Sequence, residues 1–134
     1  MTSTEALHGW LAVEHEAVWL YPVLGARFDE LLDRATASFE AHRDTRDAVL
    51  ARLRDLDVEP VGPQLTYDVG AVRTIDDARA AAQTVEATIG AACLALAGVA
   101  EQDETRTYAI RNLTRAALAE LTWGAAPRAF PGLP

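Results

Sequence analysis

Apolar residues recur at steps of three and four along most of the chain, and nowhere do they keep up the period of two that a half-buried strand requires. Four segments follow this helical period. The first spans about Thr4 to Leu24, where Leu7, Trp10, Leu11, Glu14, Ala17, Val18 and Tyr21 form one stripe. Thr2 and, three residues on, Glu5 make a capping box ahead of it; Gly25 is the expected stop and Pro22 is expected to kink the last turn. The second spans about Ala26 to Leu56 and aligns Phe28, Leu31, Ala35, Phe39, His42, Arg46, Val49, Leu53 and Leu56. The third starts after Thr74, paired with Asp77 as a second capping box, and aligns Ile75, Ala78, Ala82, Val85, Ile89, Cys93, Leu96 and Ala100. The fourth spans about Asp103 to Trp123 with Ile110, Leu113, Ala117 and Leu121 expected inward; Gly124 ends it, and an irregular tail follows over about 125–134.

The joints set the topology, because a short joint forces antiparallel neighbours whereas a long one can carry the chain to the other end of a bundle. Gly25 joins the first two segments and Glu101 to Asp103 the last two, which predicts two antiparallel hairpins. Between them lies a linker of about 57–74 containing Pro60, Gly62, Pro63 and Gly70. At ~3.3 Å per extended residue it reaches about 59 Å, against about 45 Å for the second helix at ~1.5 Å per residue. It can therefore cross the whole bundle. The expected architecture is all-α, one domain over 1–134: a ferritin-like four-helix bundle with a long crossover between helices 2 and 3. Leu65, Tyr67 and Val69 favour a linker that packs over the alternative, a loose loop on an up-down-up-down bundle.

Charge narrows the function classes. Twenty acidic residues against 12 basic ones, all Arg, give a net charge of −8, and this field repels phosphate backbones and anionic membranes. Neither nucleic acid nor membrane is an expected partner, the more so as no apolar run nears the roughly 18 residues of a membrane span. The opening Met-Thr-Ser-Thr-Glu lacks the regions of a signal peptide, and the single Cys93 allows no internal disulfide, so the expected location is cytoplasmic. There is no Gly-rich phosphate loop, Ser-centred elbow or paired-Cys metal motif.

Candidate chemistry lies in charged residues that fall on the apolar stripes. At 100° per residue Leu7 and Tyr21 lie within about 20° of Glu14, so Glu14 points into the core. His42 and Arg46 share the stripe of the second helix one turn apart, and Glu86 flanks that of the third. Buried charges need partners, so these four are expected to meet. In one reading Glu14, His42 and Glu86 are part of a two-metal iron or manganese carboxylate site, which needs a Glu from each of two helices and Glu-x-x-His from each of the others. In the other, Arg46 bridges Glu14 and Glu86 while His42 completes a metal-free network. The second is favoured: Phe39, not a carboxylate, precedes His42 by three residues, and the fourth helix offers only Glu120 or Thr114.

The runs Ala12-Val13-Glu14-His15-Glu16-Ala17-Val18-Trp19-Leu20-Tyr21, Gly25-Ala26-Arg27 and Ala41-His42-Arg43-Asp44-Thr45-Arg46-Asp47, with the Tyr67 linker and Glu86, resemble an actinobacterial family of ferritin-like domains of unknown function. The resemblance covers nearly the whole chain. It implies a four-helix ferritin-like bundle, often paired as a dimer, with no established activity, and it carries over no metal ligands beyond Glu14, His42 and Glu86.

Other positions read as scaffold. His8 and His15 are expected at the surface or its boundary, and Cys93 in the core. Trp19, Ala12 and Val23 make an apolar back face opposite Glu14 that calls for a cover: a partner, the linker or the Phe130 segment; Trp10 and Trp123 would extend such a contact. The expected function is non-catalytic and metal-free: a homodimer that binds a protein or small-molecule partner, with Glu14, His42, Arg46 and Glu86 as an internal polar network and Tyr67 closing over it. The rival is a metal-dependent oxidase or metal-storage protein using iron or manganese at Glu14, His42 and Glu86; a third reading is a purely structural dimerisation module.

Overall fold

A computed structural model describes residues 1–134 as four long helices without a strand: α1 (Ser3–Arg27), α2 (Leu32–Asp55), α3 (Ile75–Val99) and α4 (Asp103–Thr122). Both anticipated capping boxes form. Thr2 N–H donates to Glu5 at 2.7 Å while Glu5 N–H donates to Thr2 at 3.1 Å, and Thr74 and Asp77 exchange the same pair of bonds at 3.1 Å each. The first joint differs from expectation. α1 continues through Pro22 and Gly25 to Arg27, Phe28 caps it, and a 3-10 turn, Asp29–Leu31, leads into α2. Gly25 serves packing rather than termination, since a Cβ there would lie 3.3 Å from both Ala35 Cβ and Leu32 Cδ1. Its missing side chain lets α1 and α2 close together at their joint.

α1 packs on both α2 and α3, and α3 on α4. Trp10, Leu11, Leu20, Tyr21 and Leu24 of α1 form the centre of a single core with Leu53, Ile89, Leu96 and Trp123. Trp10 and Trp123 are therefore core residues, not the exposed contact anticipated for them. α3 is long and apolar enough by composition to cross a membrane, which corrects the reading that no segment comes near that requirement; here Ala78, Val85, Ile89, Cys93 and Leu96 spend that apolar surface inside the bundle.

The inner face of α4 is also not the anticipated one. Ala109, Asn112, Ala116 and Glu120 are buried, while Ile110 and Leu121 are 49% and 43% exposed and Leu118 59%. Small residues explain the rotation: Gly90 on α3 faces Ala116, so the two helices meet through Ala and Gly and the bulkier side chains turn outward. The tail covers part of that outer surface. Gly132, at φ +88°, stands 3.0 Å (as an added Cβ) from the Gly90 carbonyl and 3.2 Å from Leu113, a place that admits only glycine. Arg128 Nη2 donates to both carboxylate oxygens of Glu120 at 2.9 and 3.1 Å.

Residues 56–74 lie along α1. His8 Nε2–H donates to the Glu59 carbonyl at 3.1 Å and His15 Nε2–H to the Val61 carbonyl at 3.0 Å. Further on, the Tyr67 ring meets Trp19 at 5.7 Å. His15 is therefore buried, contrary to its expected boundary position; of the back face, Trp19 meets the linker through Tyr67 and is half-buried, whereas Ala12 and Phe130 are exposed. At one end Thr2, Leu7, Asp55, Glu101 and Glu104 line a common cleft; at the other Arg34 donates to the Thr122 carbonyl and Gln83 to that of Trp123.

Close packing at Gly25 and open space at Gly9 predict opposite responses to added side chains. Gly25→Val should cost about 1–3 kcal/mol by forcing α1 and α2 apart, whereas Gly9→Ala, with nothing within 4 Å, should stabilise by about 0.5–1 kcal/mol. Urea unfolding of the two variants checks both signs.

Candidate functional site

Glu14 on α1 and Glu86 on α3 are each 1% exposed and lie on either side of His42 from α2. His42 Nδ1 donates to Glu14 Oε2 and His42 Nε2 to Glu86 Oε1, both at 2.7 Å. Two neutral donors complete the set: Trp10 Nε1–H reaches Glu14 Oε1 at 2.9 Å and the Tyr21 hydroxyl reaches Glu86 Oε1 at 2.5 Å. Every buried side-chain polar atom has a partner. The four-residue spacing from Trp10 to Glu14 and the seven-residue spacing from Glu14 to Tyr21 put both donors on the stripe of Glu14. That helical spacing was the available signal for donors that sequence reasoning took only as apolar filling.

Aromatic rings brace the network from two sides. Tyr21 stacks on His42 with centroids 5.5 Å apart and planes 6° from parallel, and also on Trp123 at 5.6 Å. Arg34 lies over Trp123. Toward the other end Trp10 packs on Tyr108 at 5.5 Å, and the Arg52 guanidinium sits 3.9 Å from the Tyr108 centroid. Each column runs from a buried carboxylate to a surface arginine.

Burial alone would push the imidazole of His42 down, but its hydrogen bonds and the charges of Glu14 and Glu86 outweigh that and lift it to about 10. At neutral pH His42 is thus an imidazolium with both N–H groups donating. Burial raises the Tyr21 hydroxyl well above its usual range, reinforced by Glu86, and it remains a donor. Burial, then Glu14 and Glu86, likewise raise the Cys93 thiol far above its usual value, so it is not a nucleophile.

Arg46 does not bridge the carboxylates. Its guanidinium binds Asp47 at 2.9 Å on the side of α2 that faces the linker, and His42, one turn earlier, fills the anticipated cationic role. The reason is reach: an imidazole spans two carboxylates from a short stem, whereas the long arginine chain extends to water. Tyr67 does not close over the network either; its ring meets Trp19 and its hydroxyl accepts from Gln64 N–H at 2.9 Å. Glu120 pairs with Arg128 instead of joining the network, and Thr114 is exposed.

A cavity of about 100 Å³ opens above the network between α2 and α4, lined by Ser38, Thr45, Asn112 and Arg115 with Glu14, His42 and Glu86 at its base. As arranged, these residues do not fit a metal. A ligating histidine offers a bare nitrogen, and both nitrogens of His42 are held by carboxylates; no group of three His, Cys, Asp or Glu is set to hold an ion.

The bridging role of His42 predicts unequal losses. His42→Ala leaves two buried carboxylates without a cation and should cost about 3–5 kcal/mol, while Arg46→Ala should cost less than about 1 kcal/mol. Because folding raises the imidazole from 6.5 to about 10, its stabilisation is complete below pH 6.5 and declines as pH rises toward 10. The charges facing it are Glu14 and Glu86, with Tyr21 stacked on it and Arg115 across the cavity. Urea midpoints should fall across that interval in the native chain and much less in His42→Gln.

Comparison with solved structures gives a crystal structure of a conserved hypothetical protein, rv2844, from Mycobacterium tuberculosis, 26% identical, with a TM-score of 0.86 over 90% of this chain and 93% of that one. No curated protein matches. The fold is thus similar to that of a protein whose own description states no activity. A family profile matches residues 6–134, nearly the full length, and on that match the chain belongs to DUF4439, a domain of unknown function.

Proposed function

We propose that this protein is a non-catalytic ferritin-like four-helix bundle that works by binding a protein or small-molecule partner, with Glu14, His42 and Glu86 as an internal strut rather than a reaction centre. The observation that carries the reading is that His42 gives both ring nitrogens to carboxylates. Each ring nitrogen that a metal would need carries a proton donated to a carboxylate, and three of the four carboxylate oxygens accept a hydrogen bond from within the network. Support for the ferritin-like topology comes from the linker. Its contacts with His8, His15 and Trp19 follow α1 from one end toward the other, as a crossover that leaves α2 and α3 parallel requires.

The strut reading is tested by plasma mass spectrometry of the purified protein before and after soaking in iron, manganese and zinc. The expected result is no retained metal after desalting. Near-stoichiometric metal that disappears in Glu14→Ala and His42→Ala would overturn it in favour of an oxidase or storage role.

We assign the protein to the cytoplasm as a homodimer. The outward stripe of Ile110, Leu118 and Leu121 supports the dimer, being an exposed apolar strip on one helix that a second copy would bury. Leu118→Glu should convert a sedimenting dimer to a monomer with unchanged helicity; an unchanged mass for this variant, or a monomeric native chain, rejects that surface as the dimer contact.

A further inference from the structure

An open cleft on the surface is separate from the buried network. It is a cleft of about 750 Å³ between α1, α2 and the linker, within the size range of small-molecule sites. Its roof is fixed: His15 holds the Val61 carbonyl, Pro63 stiffens the next stretch, and Tyr67 is locked by the Gln64 N–H to its hydroxyl. Two aromatic faces, Trp19 and Tyr67, stand 5.7 Å apart and inclined at 54° along one wall. Val18 and Leu50 add apolar surface to the lining. Arg46, Leu50 and Arg54 recur at four-residue steps of α2, so both guanidinium groups share the opposite wall.

The two arginines differ in what they hold. Arg46 is bound to Asp47 at 2.9 Å, but Arg54 has no carboxylate within 4.0 Å. Arg46 and Arg54 balance Asp47 and Asp55 in the lining, which disfavours polyanions and leaves Arg54, the guanidinium without a carboxylate of its own, as the group that meets a single negative charge.

We infer that this cleft is a binding site for a planar aromatic ring carrying one carboxylate, the ring lying against Trp19 and Tyr67 and the carboxylate meeting Arg54. The inference rests on the reading of the protein as a binding module and names its ligand class; it places no demand on the Glu14–His42–Glu86 network.

Isothermal titration of the full chain with 2-naphthoate and with its neutral analogue 2-naphthamide tests it. The expected result is one saturable site for 2-naphthoate, with 2-naphthamide bound about ten-fold more weakly. Arg54→Gln should weaken 2-naphthoate by about the same factor and leave 2-naphthamide unchanged. Tyr67→Leu should weaken both, with circular dichroism verifying the fold of each variant. Because Trp10 and Trp123 are sealed in the core, fluorescence quenching lost in Trp19→Phe would locate the ring independently. Absence of saturation, equal affinity for acid and amide, or an Arg54→Gln variant that binds like the native chain would each overturn the inference. None of these outcomes bears on metal retention, so failure here and failure of the strut reading are read from different experiments.

Discussion

Two carboxylates sealed from water by three helices set the terms for the rest of this fold. Glu14 and Glu86 cost several kcal/mol each to desolvate without compensation, and His42 is the one cationic side chain that reaches both. The imidazolium therefore ties α1, α2 and α3 into a fixed mutual register. A hydrophobic core of Leu, Val and Ala tolerates sliding between helices far better than a hydrogen-bond triad does, because a shift of one turn would leave two buried charges unpaired. The stacked rings act on the same constraint. Tyr21 presses on the imidazole face while its hydroxyl binds Glu86, so ring orientation and hydrogen bonding are fixed by one side chain.

Periodicity exposed the helices because their stripes are long, and the capping residues Thr2 and Thr74 marked two starts correctly. It misjudged elements whose packing relies on small residues. At Gly25 the sequence rule for helix ends competes with a rule for close helix contact, and only the position of Ala35 and Leu32 decides between them. On α4 a search for large apolar side chains chose Ile110 and Leu121, but a helix facing Gly90 and its alanine-rich neighbours turns its own alanines inward.

The candidate site was legible to the extent that helical angle governs it. Glu14, His42 and Glu86 could be brought together from stripe arithmetic alone, since the two carboxylates are buried and His42 lies on the inward stripe between them. Which cation joins them could not, because Arg46 and His42 lie only about 40° apart on the helix and differ chiefly in side-chain length. The burial of His15 was hidden for a different reason. It depends on a linker 46 residues away in sequence whose backbone carbonyl it binds, and local pattern carries no trace of that contact.

The same buried charges give the lone thiol an unusual chemical isolation. Cys93 lies in the core beside a network with one more negative than positive group, so both low polarity and charge oppose formation of the thiolate that oxidants and alkylating reagents attack. In the intact bundle it is silent, and once the helices separate it reverts to an ordinary cysteine. The chain thus carries, at a single position and without engineering, a chemical clock whose labelling rate counts excursions out of the packed state.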